Sequence, residues 1–247
     1  MTYVMGEQVQ LGVGIEATRG TAVAPQAWVP ARTPAGIVTV LDKVQIKETR
    51  GSGRSGQGSE IAQSRAEGDL EFNVRSSSVG YILLSLLGSV STVYANGAGT
   101  HTFTRQASGP QNPALTLSLA QSGAQHYKYP LAVVNSLELN IPIDDVVNGT
   151  ASFIAKSEVE STDFTPAFVA DDVDALFRNH DVTIKIADTV AGLAAASAIC
   201  VKEFSLSINN NVKPKNCIGN INPTDILSVA SEITGSFATD LEDVEDF

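Results

Sequence analysis

Across Val133–Ile143 apolar and polar side chains alternate: Leu137, Leu139 and Ile141 on one side, Ser136, Glu138 and Asn140 on the other. A period of two is the mark of a strand with one face buried and one face wet. The pattern recurs along the chain. Val9, Leu11, Val13 and Ile15 open it, and Leu70, Phe72 and Val74 alternate with Asp69, Glu71 and Asn73. Leu115, Leu117 and Leu119 follow, then Val182, Ile184 and Ile186, then Phe204, Leu206 and Ile208 between Glu203, Ser205 and Ser207. Asn96-Gly97 is a hairpin turn signal, and Asn148-Gly149 begins the partner of the Val133–Ile143 strand, with Ala151 and Phe153 in phase. The chain is therefore predicted to be mainly β. The exception is VGYILLSLL, residues 79–87, a short helix preceded by Ser76–Ser78 and closed by Gly88. Its apolar residues go nearly all the way round, so it is expected between sheets or at a subunit contact.

One segment fits none of this. Residues 47–65, KETRGSGRSGQGSEIAQSR, hold four glycines, four serines, four basic residues and one sizeable apolar side chain, Ile61. They lie between an extended run marked by Val38, Val40, Val44 and Ile46 and the Leu70–Phe72 strand. A connection this long and polar is unusual in a compact domain and points to function or disorder. The expectation is an arm, a hairpin extension that orders by docking on another copy of the chain, with Lys47, Arg50, Arg54, Ile61 and Arg65 as its contact residues.

Charge is distributed unevenly. Residues 1–130 carry 10 basic and 8 acidic side chains, residues 131–247 carry 6 and 19, and the whole chain carries −11. That sign excludes a general nucleic-acid binder, whose affinity comes from neutralising phosphates. Charged residues are only 17% of the chain, a hint that much surface is covered by partners. The first residues, MTYVMGEQVQ, lack the basic and apolar regions of a secretory signal, and no apolar run is long enough to span a bilayer. The chain is expected to be made and assembled in the cytoplasm without a membrane partner.

No catalytic constellation emerges. There is no G-x-S-x-G elbow, and the GSGRSGQG run lacks the Lys-Ser/Thr ending of a phosphate loop. Cys200 and Cys217 do not make a disulfide framework, and His101, His126 and His180 are scattered. The acidic pair Asp144-Asp145 and the run Asp171-Asp172-x-Asp174 lack calcium-loop spacing and read as solvated turns. No enzyme activity, cofactor or metal is expected.

The order of elements repeats. An extended run, a long polar loop and a glycine-led strand occupy residues 38–72, and Phe204–Ile208, the polar loop Asn209–Asp225 and Gly235–Phe237 occur in the same order. The expected organisation is a first domain over 1–156, a linker over 157–180 and an incomplete second copy over 181–247, with Phe247 falling where the second helix would begin.

At this point a family resemblance becomes visible. GIEATRGTAVAPQAWVP (14–30), the Arg/Gly/Ser loop 47–65, HTFT (101–104), YKYPLAVVNSLELNI (127–141), VNGTASFIAK (147–156), FSLSINNN (204–211) and EITGSFATDLED (232–243) stand in one order. The ordered set resembles the major tail tube proteins of long-tailed bacteriophages over most of the chain outside 157–180. The resemblance implies a β-sandwich with a flanking helix and rings of six chains, or three with duplicated domains. Rings would stack through the long loop into a hollow tube that holds the tape measure protein and then conducts phage DNA without specific binding. Other tail proteins would close its ends. A negative lumen would let phosphates slide, with Asp69, Glu71, Ser136, Glu138 and Glu203 as candidate lining residues. The rival readings are a single-ring tail component, terminator or distal tail protein, and a carbohydrate-binding or adhesive β-sandwich, against which the 6% aromatic content weighs.

Overall fold

The computed structural model describes residues 9–33, 35–48, 58–95, 97–106, 108–109, 111–121, 125–162, 164–165 and 176–239. In chain order the elements are β1 (Val9–Ile15), β2 (Ala27–Val29), β3 (Val38–Gln45), β4 (Ser59–Asn73), α1 (Val79–Leu87), β5 (Gly88–Ala95), β6 (Ala98–Arg105) and β7 (Leu115–Gln121). They continue with β8 (Tyr127–Pro142), β9 (Asn148–Ala155), β10 (Val159–Glu160), β11 (Glu203–Asn209), β12 (Lys213–Lys215), β13 (Asp225–Leu227) and β14 (Glu232–Ala238).

The longest strand, β8, makes the fold by belonging to two layers. Its first half pairs antiparallel with β7 and β10, and its second half lies between β9 and β11. The change falls where Leu131 takes φ 55 and where the ladder to β9 slips between Val134 and Ser136. Bends and bulges are how one strand turns the corner between packed sheets. One layer runs β2-β1-β7-β8-β10 and the other β14-β11-β8-β9-β4-β3. Between them the inward phases meet: Leu11, Val13 and Leu117 from the first layer, Leu70, Phe72, Leu137 and Phe153 from the second, all at most 2% exposed. This is a β-sandwich with a short flanking helix.

Helix α1 ends as its sequence predicts, on Gly88 at φ 101, whose N–H reaches the Leu84 carbonyl. Ser78 stands at the N-cap without capping; its hydroxyl is buried with no partner in the structure. Ile82, Ser85 and Leu86 face the sandwich, and Ser85 Oγ accepts from the Val134 N–H at 3.3 Å.

Two sequence expectations change. Val182, Ile184 and Ile186 do not form a strand, because among the described residues this segment makes only an isolated bridge, Lys185 to Ala198, with the Ile199 N–H donating to the Ile184 carbonyl at 3.0 Å. Asn209–Asp225 is not a plain loop. It contains the β12–β13 hairpin, whose Ile226 packs with Val212, Leu131 and Val133 in a small second core on the outer side of the sheet. The second hairpin, β11–β14, adds directly to β8 and so shares a sheet with β4 and β9.

Candidate assembly surfaces

In β4 the burial of Leu70 and Phe72 forces Asp69 and Glu71 outward, and the strand register continues their rows across the layer. Asp69 lies opposite Ser152, which is opposite Ser136, then Asn209, then Glu232. The next row is Glu71, Thr150, Glu138, Ser207 and Thr234, and a third is Asn73, Asn148, Asn140, Ser205 and Ser236. Residues directly opposite one another share a face. The outer face of β4, β9, β8, β11 and β14 is thus polar in every one of these rows, about 20 Å across at the usual strand spacing. Glu203 extends it beside Pro142.

The five candidate lining residues therefore share one surface. Short hydrogen bonds tie it together: Ser152 Oγ donates to Asp69 at 2.5 Å, and the Ser205 and Ser236 hydroxyls are 2.8 Å apart. The rows hold acids and no Lys or Arg. Glu71 and Glu138 stand two strands apart, about 10 Å, where repulsion is only ~0.4 kcal/mol in water but several times larger at low dielectric. Such a face belongs against solvent. Glu232 joins it and was not anticipated; its alternation with Thr234 and Ser236 was the available signal.

At the far end of β4 lies the stem of the arm. Ser59–Glu67 pairs with Val38–Gln45, while β9 ends at Ala155 opposite Ala66, so Ser59–Arg65 projects beyond the sheet. Ile61 and Arg65, assigned to a loop by their polar neighbours, are strand residues because β3 supplies a ladder partner. Arg65 Nη1 binds Asp42 at 2.5 Å and its Nε donates to Glu67. The Glu67 hydrogen bond is the largest influence raising the guanidinium above its usual range; burial opposes it, and Asp42 adds to it. The stem carries exposed apolar residues: Val38 and Val44 are each 58% exposed, and Leu41 and Ile61 are also exposed. Lys47 is exposed. Arg50 and Arg54 lie outside the described residues.

The β12–β13 hairpin reaches the same stem. Ser64 N–H donates to the Ile221 carbonyl at 3.0 Å, and Asn216 Nδ2 donates to Gln63 Oε1 at 2.7 Å. Ser157 Oγ donates to Asn222 at 2.7 Å and also contacts Ser64 Oγ. At the other edge of the layer, β14 pairs with β11 alone among the described residues, and its inward-phase Ile233 and Phe237 stay exposed.

No group of three or more His, Cys, Asp or Glu that could hold a metal occurs among the described residues; Asp171–Asp174 lie outside them. No helix among the described residues is long and apolar enough to cross a membrane. Comparison with curated proteins gives no match. A protein-family model described as phage tail tube protein matches residues 6–247. With its β-sandwich, its short helix and a match that runs over nearly its whole length, the chain belongs to the phage tail tube protein family, structural proteins of the virion tail.

Proposed function

We propose that the chain closes into rings, of six copies or of three, that these rings stack into the tube, and that the polar face of the β4-β9-β8-β11-β14 layer lines the lumen. The observation that carries this reading is the continuity of that face: three rows across five strands without an apolar side chain. In the proposed tube Asp69, Glu71, Ser136, Glu138, Glu203 and Glu232 face the passage. They repel phosphates, so DNA that follows the tape measure protein slides through without a specific binding site. The edge strand β14, paired only with β11 among the described residues and with Ile233 and Phe237 exposed, supports lateral closure, because an edge of this kind invites another strand. The projecting β3–β4 stem supports the arm as the bridge between rings, with Lys47, Arg50, Arg54, Ile61 and Arg65 in contact with the next ring. The two long hairpins, β3–β4 and β11–β14, support an internal duplication after residue 181.

Electron microscopy of the purified protein tests the proposal. Long tubes of uniform bore are expected. Deleting Gly51–Gln57 is expected to leave rings and stop tubes. Stable monomers at high concentration refute the tube; normal tubes from the deletion refute the arm.

A further inference from the structure

The β12–β13 hairpin is built more firmly than a surface loop requires. At its root Ile226 is fully buried and Val212 nearly so. Arg19 donates to Asp225 through Nη2 at 2.8 Å and Nε at 3.1 Å, to the Ile226 carbonyl at 2.6 Å, and to the Asn112 carbonyl. At its far end the loop 216–222 holds the stem of the arm through the bonds from Ser64, Asn216 and Ser157. Between these two anchorages the loop presents Ile218 fully to solvent and Ile221 at 55% exposure. A bare isoleucine on a mobile loop could fold back against the body. Here the backbone is fastened on both sides of Ile218, and Gly219 turns it outward at φ 90.

Charge adds a direction. Residues 210–224 hold Lys213 and Lys215 and no acid, and residues 47–65 hold four basic and two acidic side chains, in a chain of net −11. The described stem has no positive surplus, with Lys43, Lys47 and Arg65 beside Asp42, Glu48, Glu60 and Glu67, so the loop that touches it is a small basic feature on a strongly acidic chain. Opposite charge on two different surfaces of the same chain favours head-to-tail contact between copies.

We infer that the 216–222 loop is a second inter-ring contact, forming with the arm stem one composite docking surface for a copy of this chain in the next ring. This rests on the tube reading above, and it assigns Ile218 as the apolar contact, Lys213 and Lys215 as the charge that attracts the acidic neighbour, and Asn216 as a positioning residue for the stem.

Cys217, adjacent to Ile218 and exposed, supplies the probe. In a Cys200→Ser background it is the single thiol of the chain. Maleimide labelling is expected to be fast in isolated subunits and in rings of the Gly51–Gln57 deletion, and at least tenfold slower in assembled tubes. Ile218→Ser with Lys213→Glu and Lys215→Glu is expected to leave the melting temperature unchanged and to slow tube growth at least tenfold, more so at low salt. Full labelling within tubes, or unchanged growth of the triple variant, overturns the inference while the tube reading stands. Protection already present in rings assigns the loop to a lateral contact and overturns it too. Retarded migration of duplex DNA by the subunit, lost in the triple variant, would make the basic loop a nucleic-acid contact and likewise overturn it. Failure of the parent to form tubes removes both readings together.

Discussion

Replacing Glu16 is expected to loosen the corner on which the two layers of the sandwich depend. The side chain is only 6% exposed, yet it is a carboxylate. Its Oε1 accepts from the Leu131 N–H at 2.7 Å and from Thr116 Oγ1 at 2.9 Å, and its Oε2 accepts from the Gly20 N–H at 2.6 Å. Leu131 is where β8 crosses between layers at φ 55, a conformation costly for a branched residue unless its surroundings hold it. In Glu16→Ala the Leu131 N–H has no other acceptor at hand, costing about 1–3 kcal/mol. Thr116 loses its acceptor as well, and the Gly20 N–H turns to water at little cost. With the cavity left behind, the total is about 3–5 kcal/mol. For a chain of this length that lowers the melting temperature by about 6–20 °C. Glu16→Gln keeps the oxygen facing Leu131 and Thr116 but turns an amide toward Gly20, so about 1–2 kcal/mol is lost. The assay is thermal unfolding by circular dichroism in the Gly51–Gln57 deletion background, where stacking does not add to apparent stability. Glu16→Ala melting within 2 °C of its parent, or Glu16→Gln as damaging as Glu16→Ala, refutes the reasoning.

Three further outcomes are expected. Burial, with the charges of Glu158 and Tyr127, pushes the Tyr129 phenol up to about 12 from an ordinary 10; the fold therefore favours the protonated form, and this contribution holds below pH 10 and is lost between pH 10 and about 12. Tyr129→Phe should flatten the fall in melting temperature over that window; an unchanged profile counts against it. At Gly68 an added Cβ would sit 2.5 Å from Ile37 Cα and 2.6 Å from the Gly36 carbonyl, both backbone, so Gly68→Ala should cost about 1–3 kcal/mol and increase hydrogen exchange along β3; wild-type exchange there would contradict the close packing. Glu71→Lys with Glu138→Lys should change stability by no more than about 0.5 kcal/mol, leave tails visible by microscopy and slow DNA release from triggered virions. Unaltered release would remove these two residues from the lumen.

Period-two alternation identified β1, β7, β8, β9, β11 and the second half of β4, because large apolar side chains alternate there with small or polar ones; on β1 and β7 both faces are covered, and Gly12, Gly14, Thr116 and Ser118 keep the pattern on the second face. The same pattern failed where burial depends on something the chain does not place nearby. Val182, Ile184 and Ile186 alternate as well as Leu137, Leu139 and Ile141 do, yet β8 has neighbours on both edges and the former segment has one bridge among the described residues. Val38 and Val44 belong to a strand, but no described residue buries them. Alternation reports which side chains could be buried together; pairing and the opposite layer decide whether they are. The corner was invisible for a different reason. Neither a leucine at positive φ nor a buried glutamate 115 residues away from it has a local sequence signal.

The polar rows were legible because their residues sit in phase on strands whose other faces are apolar. On β11 the inward phase is still partly covered by the sandwich, and on β14 Ile233 and Phe237 are open, while the outer phase stays polar across both strands. A sheet that simply ended at β14 would be expected to blunt its edge with inward charges, a bulge or proline. Here Ile233, Gly235 and Phe237 keep the apolar alternation to the last strand, which suits continuation into another chain rather than termination in water. In the proposed ring the polar face continues with it, since a strand added in register extends both faces at once. Lumen and lateral contact would then be two sides of one alternating pattern, and a change that shifts the phase of β14 should disturb both together.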